Sequence, residues 1–427
     1  MSENKQKFNT SAVHAGEAPD ATGSLHVPIY HNVSYSFKDS GHAERLFGLR
    51  EFGNIYTRLM NPTVGALQQR LAVLEGGIGA VATASGHAAQ LTALLNLLQA
   101  GDEIVAAKEL YGGSINQFGH TFKQFGWNTV FRSVYDLEGI KSGITNKTKA
   151  LFIESYSNPS GAIADIEGIA NIAHEAGIPL VVDNTIPTAS LLRPIEYGAD
   201  IVLASLTKFL TGNSTTLGGI IIDSGRFDWT QNDKFSLLVE PDQSYHGISF
   251  ANDFKELAFT VRSIAVGLRD LGAPLAPHSA FTTLTAIETL PLRIEKHIYN
   301  GAKVAEFLHK HPKVAEVYYP QYRKDTNQQT LQKKYFPNGV PSVFSVKLKG
   351  GIEAGEKLIQ GVKLFSHVAN IGDSRSLIIH PATTTHSQLS DQQKEESFSS
   401  PGIVRLSVGL EDADDLIADL DNVLQTV

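Results

Sequence analysis

Five short apolar runs between residues 103 and 222 constrain this chain more than any other feature. They are EIVAA (103–107), ALFIE (150–154), PLVVD (179–183), DIVLA (200–204) and GGIII (218–222). Each is short and continuously apolar rather than alternating, so each reads as a strand buried on both faces. Helical segments lie between them. In DIEGIANIAHEAG, residues Ile166, Ile169, Ala170, Ala173 and Ala176 fall on one helical face. This strand–helix–strand alternation predicts an α/β fold with a mainly parallel sheet covered by helices.

The rest of the chain divides around that region. Asn61-Pro62-Thr63 opens a helix that Glu75-Gly76-Gly77 stops, and a second helix is expected from Ser85 to Gly101. Upstream, residues 1–61 are poorly periodic yet rich in aromatics (Tyr35, Phe37, Phe47, Phe52, Tyr56), which fits an ordered arm on another surface better than a disordered tail. After about residue 255 the texture changes. FTTLTAIETLPLRIEKH and NGAKVAEFLHKH read as helices, and 342–348 and 403–409 as strands of a smaller α+β unit. We therefore expect an arm (1–61), a large domain (62–255) and a C-terminal domain (256–427). The polar stretch 391–400 reads as exposed.

Composition narrows the function. The 427 residues exceed what one compact core usually holds. A net charge of −8 argues against general nucleic-acid binding, and the absence of cysteine excludes thiolate metal sites, disulfides and cysteine nucleophiles. No leader-like or membrane-spanning apolar stretch is seen, so the expectation is a cytoplasmic enzyme acting on small molecules, without membrane or nucleic-acid partners.

Polar residues follow the strands. Ser155 and Asn158 come after the second run, Asp183 ends the third, and Ser205, Thr207 and Lys208 follow the fourth. Ligands of open α/β sheets bind outside these carboxyl ends. A lysine there can serve as a Schiff-base nucleophile, because burial frees its amine; taken alone, it is also compatible with a surface lysine opening a helix. Asp183 can be a cofactor's acid partner, a helix cap or half of an ion pair. Ser85-Gly86-His87 heads an apolar helix and suits a phosphate, or is a plain cap. Tyr111 can stack on a flat ring or sit in a turn. Tyr56 and Arg58 suit a phosphate or a rim ion pair. Arg405, in an apolar strand, needs an anion, supplied either by a substrate carboxylate or by a structural acid.

Taken in order, NIYTRLMNPT, ASGHAAQ, LYGGS, ESYSNPSGAIADIE, LVVDNT, SLTKFLTG, IETLPLRIEKH and GDSRSLIIHPATTTHSQL resemble the Cys/Met-metabolism enzymes that depend on pyridoxal 5′-phosphate (PLP). Within that family, FGLREFGNIYTR (47–58) nearly reproduces the FGLKEFGNIYTR run of O-acetylhomoserine sulfhydrylases. The resemblance implies the fold type I, aspartate aminotransferase-like architecture and a homotetramer built from tight dimers. It implies that Lys208 binds PLP covalently and that Asp183 pairs with the ring nitrogen. Tyr111 would stack on the ring, and Asn158 would meet its oxygen. Gly86, His87, Ser205 and Thr207 would hold the phosphate, joined by Tyr56 and Arg58 of a neighbouring subunit. Arg405, helped by Asn370, would hold the substrate carboxylate. The implied reaction joins O-acetyl-L-homoserine and sulfide into homocysteine. Cystathionine γ-synthase or γ-lyase activity, or use of O-succinylhomoserine, would need the same cofactor residues. A non-catalytic α/β binding protein would leave Lys208, Asp183 and Arg405 coincidental. Two departures stand out: Gly212-Asn213 where many relatives have Gly-His, and His87 where glutamine or methionine is usual. Gly113, where methionine γ-lyases typically have cysteine, argues against that activity.

Overall fold

The computed structural model describes residues 6–16, 21–384, 400 and 402–427. The expected exposed stretch 391–400 lies outside them except for Ser400. Helix Pro62–Glu75 starts and stops where the sequence placed it. The Asn61 side chain accepts from the N–H groups of Thr63 and Val64, Pro62 occupies the first turn, and Gly76 closes the helix at φ 81°.

A seven-stranded sheet follows: β1 (Gly79–Thr83), β2 (Glu103–Ala107), β3 (Asn128–Arg132), β4 (Thr148–Glu154), β5 (Leu180–Asp183), β6 (Ile201–Ser205) and β7 (Gly219–Asp223). Their spatial order is β1-β7-β6-β5-β4-β2-β3. Strand β7 runs antiparallel to both of its neighbours, and the other pairs are parallel. All five apolar runs are strands of this sheet. Its registers set Glu154 beside Asp183 and Asp183 beside Leu203, so the polar strand ends gather at one edge.

A second sheet has five strands: β8 (Val314–Tyr318), β9 (Val343–Leu348), β10 (Ser366–His367), β11 (Leu377–Ile379) and β12 (Ile403–Ser407), ordered β10-β11-β12-β9-β8. Arg405 lies on β12, paired with Ile379 and Ser345 on its two sides. Helices Leu290–Lys310, Gly351–Gly361 and Ala413–Leu424 pack around this sheet.

Two helix expectations need correction. The helix after Ser85 covers Gly86–Leu95 and stops short of Gly101. Downstream, the break falls at Thr289 rather than after His297. Pro291, which has no N–H to donate, sits in the first turn of a continuous helix Leu290–Lys310. The upstream segment also holds more regular structure than its weak periodicity implied. Helix Phe8–His14 packs on Pro62–Glu75, with Arg70 Nε donating to the Ala15 carbonyl at 2.7 Å, and Asp39 caps helix Ser40–Phe47.

Candidate active site

One cavity opens at the carboxyl ends of the parallel strands, facing β12 of the smaller sheet. Ten of the twelve residues singled out from sequence line it: Gly86, His87, Tyr111, Asn158, Asp183, Ser205, Thr207, Lys208, Asn370 and Arg405. Tyr56 and Arg58 do not. Within a single chain Arg58 donates to the Arg269 carbonyl at 2.8 Å and lies over the Tyr56 ring, in a separate depression with Asn61 and Gln68.

Asp183 ends β5, where the backbone leaves the sheet. Its Oδ1 accepts from the Thr185 backbone N–H and hydroxyl, and its Oδ2 from Gln90 Nε2 at 3.5 Å. No cation pairs with it among the described residues. Burial raises its pKa, and the Thr185 and Gln90 hydrogen bonds oppose that rise. Glu154, one strand over, is buried too, and burial followed by the nearby Asp183 charge pushes it well above the carboxylate range. Glu154 is useful as an anchor: it accepts from the backbone N–H of Tyr111 at 2.6 Å and of Asn158 at 3.3 Å.

Lys208 sits in the turn Leu206–Leu210 just past β6. Arg293 fixes that turn by donating to the carbonyls of Phe209 and Leu210. Burial, reinforced by the Arg405 charge, lowers the Lys208 pKa to about 8, which brings a free amine within reach near neutral pH. Its Nζ donates to Asn370 Oδ1 at 2.5 Å. Arg405 is 4% exposed and, among the described residues, bonds only neutral groups, the Asn370 carbonyl at 2.8 Å and Asn158 Oδ1 at 3.4 Å, with no partner there for its Nε. Burial depresses its pKa to about 10. A guanidinium so placed is short of one anion.

The phosphate end is built from backbone and hydroxyls. Ser85 caps helix Gly86–Leu95 by accepting from the Ala88 N–H at 3.1 Å, leaving the N–H groups of Gly86 and His87 at the helix head without helical acceptors. A Cβ on Gly86 would lie 3.1 Å from Ser205 Cβ, so glycine permits the close approach of β6 to this helix. The Tyr111 ring stacks near His87, with centroids 5.9 Å apart at 27°. A Cβ on Gly113 would stand 2.4 Å from the Tyr111 ring, which explains the glycine there.

Residues that escaped the sequence reading include Glu154, Gln90 and Ser114, which line the cavity, and Ser214 and Asp373, which stand behind Asn370. Glu154 was within reach, because it ends ALFIE as Asp183 ends PLVVD. The others lie within a helix or an ordinary turn and carry no comparable local signal.

The donor set fits PLP. A buried acid lacking a cation could hold a protonated ring nitrogen, a helix head with hydroxyls could hold a phosphate, and a buried amine could hold an aldehyde carbon. Comparison with known proteins agrees. A family model described as Cys/Met metabolism PLP-dependent enzyme matches residues 9–425. The chain is 48% identical to the O-acetyl-L-homoserine sulfhydrylase of Leptospira meyeri, covering 99% of this chain and 97% of that protein. It is 44% identical to the homocysteine synthase of Schizosaccharomyces pombe, covering 98% of each. Among solved structures, a Campylobacter jejuni protein assigned as O-acetylhomoserine (thiol)-lyase and carrying a pyridoxyl-lysine phosphate superposes with a TM-score of 0.95 at 42% identity, covering 98% of this chain and 100% of that one. The metB structure from Corynebacterium glutamicum matches with a TM-score of 0.83 at 30% identity, covering 99% of each. The chain belongs to the Cys/Met metabolism family of PLP-dependent enzymes, with the fold of those structures and PLP as its cofactor.

Proposed function

We propose that this enzyme is an O-acetylhomoserine sulfhydrylase, making homocysteine and acetate from O-acetyl-L-homoserine and sulfide. The observation that carries the reading is the meeting of three buried groups in one cavity: an acid without a cation, a guanidinium without an anion, and an amine of lowered pKa. When bound, PLP supplies an electrophilic carbon for the amino group and a protonated ring that draws electrons from the substrate's Cα and Cβ. Asp183 would hold the proton on the ring nitrogen. Tyr111 would cover the ring, Asn158 would meet the ring oxygen, and Gly86, His87, Ser205 and Thr207 would hold the phosphate. Arg405 binds the substrate carboxylate, with Asn370 beside it. Lys208 would hold the cofactor's aldehyde carbon and, as a free amine, would move protons at the substrate's Cα and Cβ. Acetate leaves Cγ and hydrosulfide takes its place.

The choice of sulfide rests on charge. Among the described residues, Lys208 and Arg405 are the only cationic side chains lining the cavity apart from His87, whose pKa burial lowers. Cysteine would bring a second carboxylate that neither can spare, and burying it unpaired is costly. Assembly is part of the proposal. Residues 1–61 form an arm onto a second copy, Tyr56 and Arg58 reach that copy's phosphate, and two such dimers make a tetramer. No helix among the described residues is long and apolar enough to cross a membrane, and we place the enzyme in the cytoplasm.

The test is a product assay with O-acetyl- and O-succinyl-L-homoserine, each offered sulfide or cysteine. We expect kcat/KM to be at least about tenfold higher for the acetyl ester with sulfide than for any other pair. A preference for cysteine would reassign the chain to cystathionine γ-synthase activity. Borohydride treatment should fix PLP on Lys208, and recovery of the label on another lysine would refute the cofactor assignment.

A further inference from the structure

The turn where Gly212-Asn213 departs from its relatives is docked onto the segment that carries Asn370. The Ser374 N–H donates to the Gly212 carbonyl at 2.9 Å. Ser214 Oγ donates to Asp373 Oδ2, and Asn370 Nδ2 donates to Ser214 Oγ at 2.8 Å. Asn370 Oδ1 in turn accepts from Lys208 Nζ. The four groups form a one-way chain of donors. A carboxylate only accepts, so the serine must give it a hydrogen. The serine oxygen then accepts from the amide nitrogen, and the amide oxygen is left facing the amine. The same residue's backbone carbonyl takes Arg405 Nη2. Asn370 thus touches both the amine and the guanidinium of the site.

Serine holds this place against its backbone preference. Ser214 has φ 55°, in the left-handed region where glycine is at ease and other residues are strained. The turn is exposed, so water could satisfy its neighbours if that were the hydroxyl's only task. Asp373, by contrast, is 3% exposed and fixed from the other side by the Arg375 N–H at 2.9 Å. Strain retained beside a site, and ending on a buried carboxylate, marks a built arrangement.

We infer that Ser214 and Asp373 are positioning residues for the reaction: they lock the Asn370 amide with its oxygen toward Lys208. The inference rests on the proposed role of Lys208. Its consequence is a pH effect. A fixed acceptor favours the charged ammonium, so losing it moves the midpoint of Lys208 deprotonation down. Among the described residues, the other charged or titratable groups lining the cavity with the amine are Arg405 from β12, His87 from the helix head, Tyr111 from the loop after β2, Asp183 from β5, Glu154 from β4 and Tyr156 just after it. Asp373 is faced by Arg375 at 3.7 Å and by His297 of the long helix.

The experiment uses the full-length chain freed of cofactor, mixed with PLP, with the visible band followed against pH. In the wild type the capture rate should rise through one midpoint set by the Lys208 amine. Ser214→Ala and Ser214→Gly should each lower that midpoint by roughly 0.5 to 1 pH unit, and Asp373→Asn should shift it less in the same direction. Ser214→Gly should melt no lower than wild type, because glycine suits that φ; the serine's effect is then separated from any loss of fold. Midpoints unmoved in all three variants, with borohydride still fixing PLP on Lys208, would overturn the inference. Failure to label Lys208 in the wild type would instead overturn the reading of the site, and the inference with it.

Discussion

Among the described residues Asp183 is held by neutral donors alone, at a strand end where burial disfavours its charge. Such a group is a poor structural choice and a good partner for a protonated ring nitrogen. Asp183→Asn keeps the oxygen that Thr185 binds but removes the charge. We expect a fully folded variant that melts no lower without cofactor, with kcat reduced about a hundredfold or more and KM little changed. A kcat within a few-fold of wild type would remove Asp183 from the mechanism. At this scale the sequence was readable where polar residues end or closely follow an apolar run: Asp183 ends one and Lys208 follows another. Asp373 and Ser214 did not, because they meet across 159 residues of chain and each alone looks like a turn residue. Glu154 was readable by the same rule as Asp183 and was passed over.

Among elements, strands buried on both faces were the legible ones. β1 was missed because GAVAT is built of small residues, and β3 because NTVFR is a half-exposed edge strand with a polar start. The direction of β7 could not be read either, since an apolar run buried on both faces looks the same in either direction. Breaks between helices misled in a physical way. The sequence ends one helix at His297 and opens another at Asn300-Gly301, yet all three residues lie inside helix Leu290–Lys310. The glycine is there for closeness: a Cβ on Gly301 would stand 2.9 Å from Ser342 Cα, just before β9. Helix propensity alone predicts that Gly301→Ala gains about 1 kcal/mol. Packing against backbone predicts the opposite, and we expect packing to win. Gly301→Ala should lower the melting temperature by several degrees. An unchanged or raised melting temperature would show that the helix can move off the sheet at no cost.

For the whole molecule, the question is where the N-terminal arm belongs. Its chain is tied to itself by an antiparallel bridge between Ser34 and Tyr56, with Tyr35 N–H donating to the Ile55 carbonyl and Thr57 N–H to the Val33 carbonyl. It nevertheless leaves Val33, Phe47 and Phe52 more than half exposed. Apolar side chains displayed together on one arm call for a cover. Tyr56 and Arg58 project from the same arm, and neither lines the cavity of its own chain. If the cover is a second copy, each site takes its amine from one chain and its arm residues from the other. Two inactive variants then test the arrangement. A chain with Arg58→Ala retains Lys208 but gives its partner no arginine; a chain with Lys208→Ala retains Arg58 but has no amine. In a mixed dimer one site combines the intact Lys208 with the intact Arg58, and the other has lost both. Random exchange of equal amounts puts half of the dimers in mixed form, each with one of two sites working, so activity should return to about a quarter of wild type. Activity that stays at the sum of the two separate variants, after mass spectrometry has verified exchange, would mean that Arg58 serves its own chain.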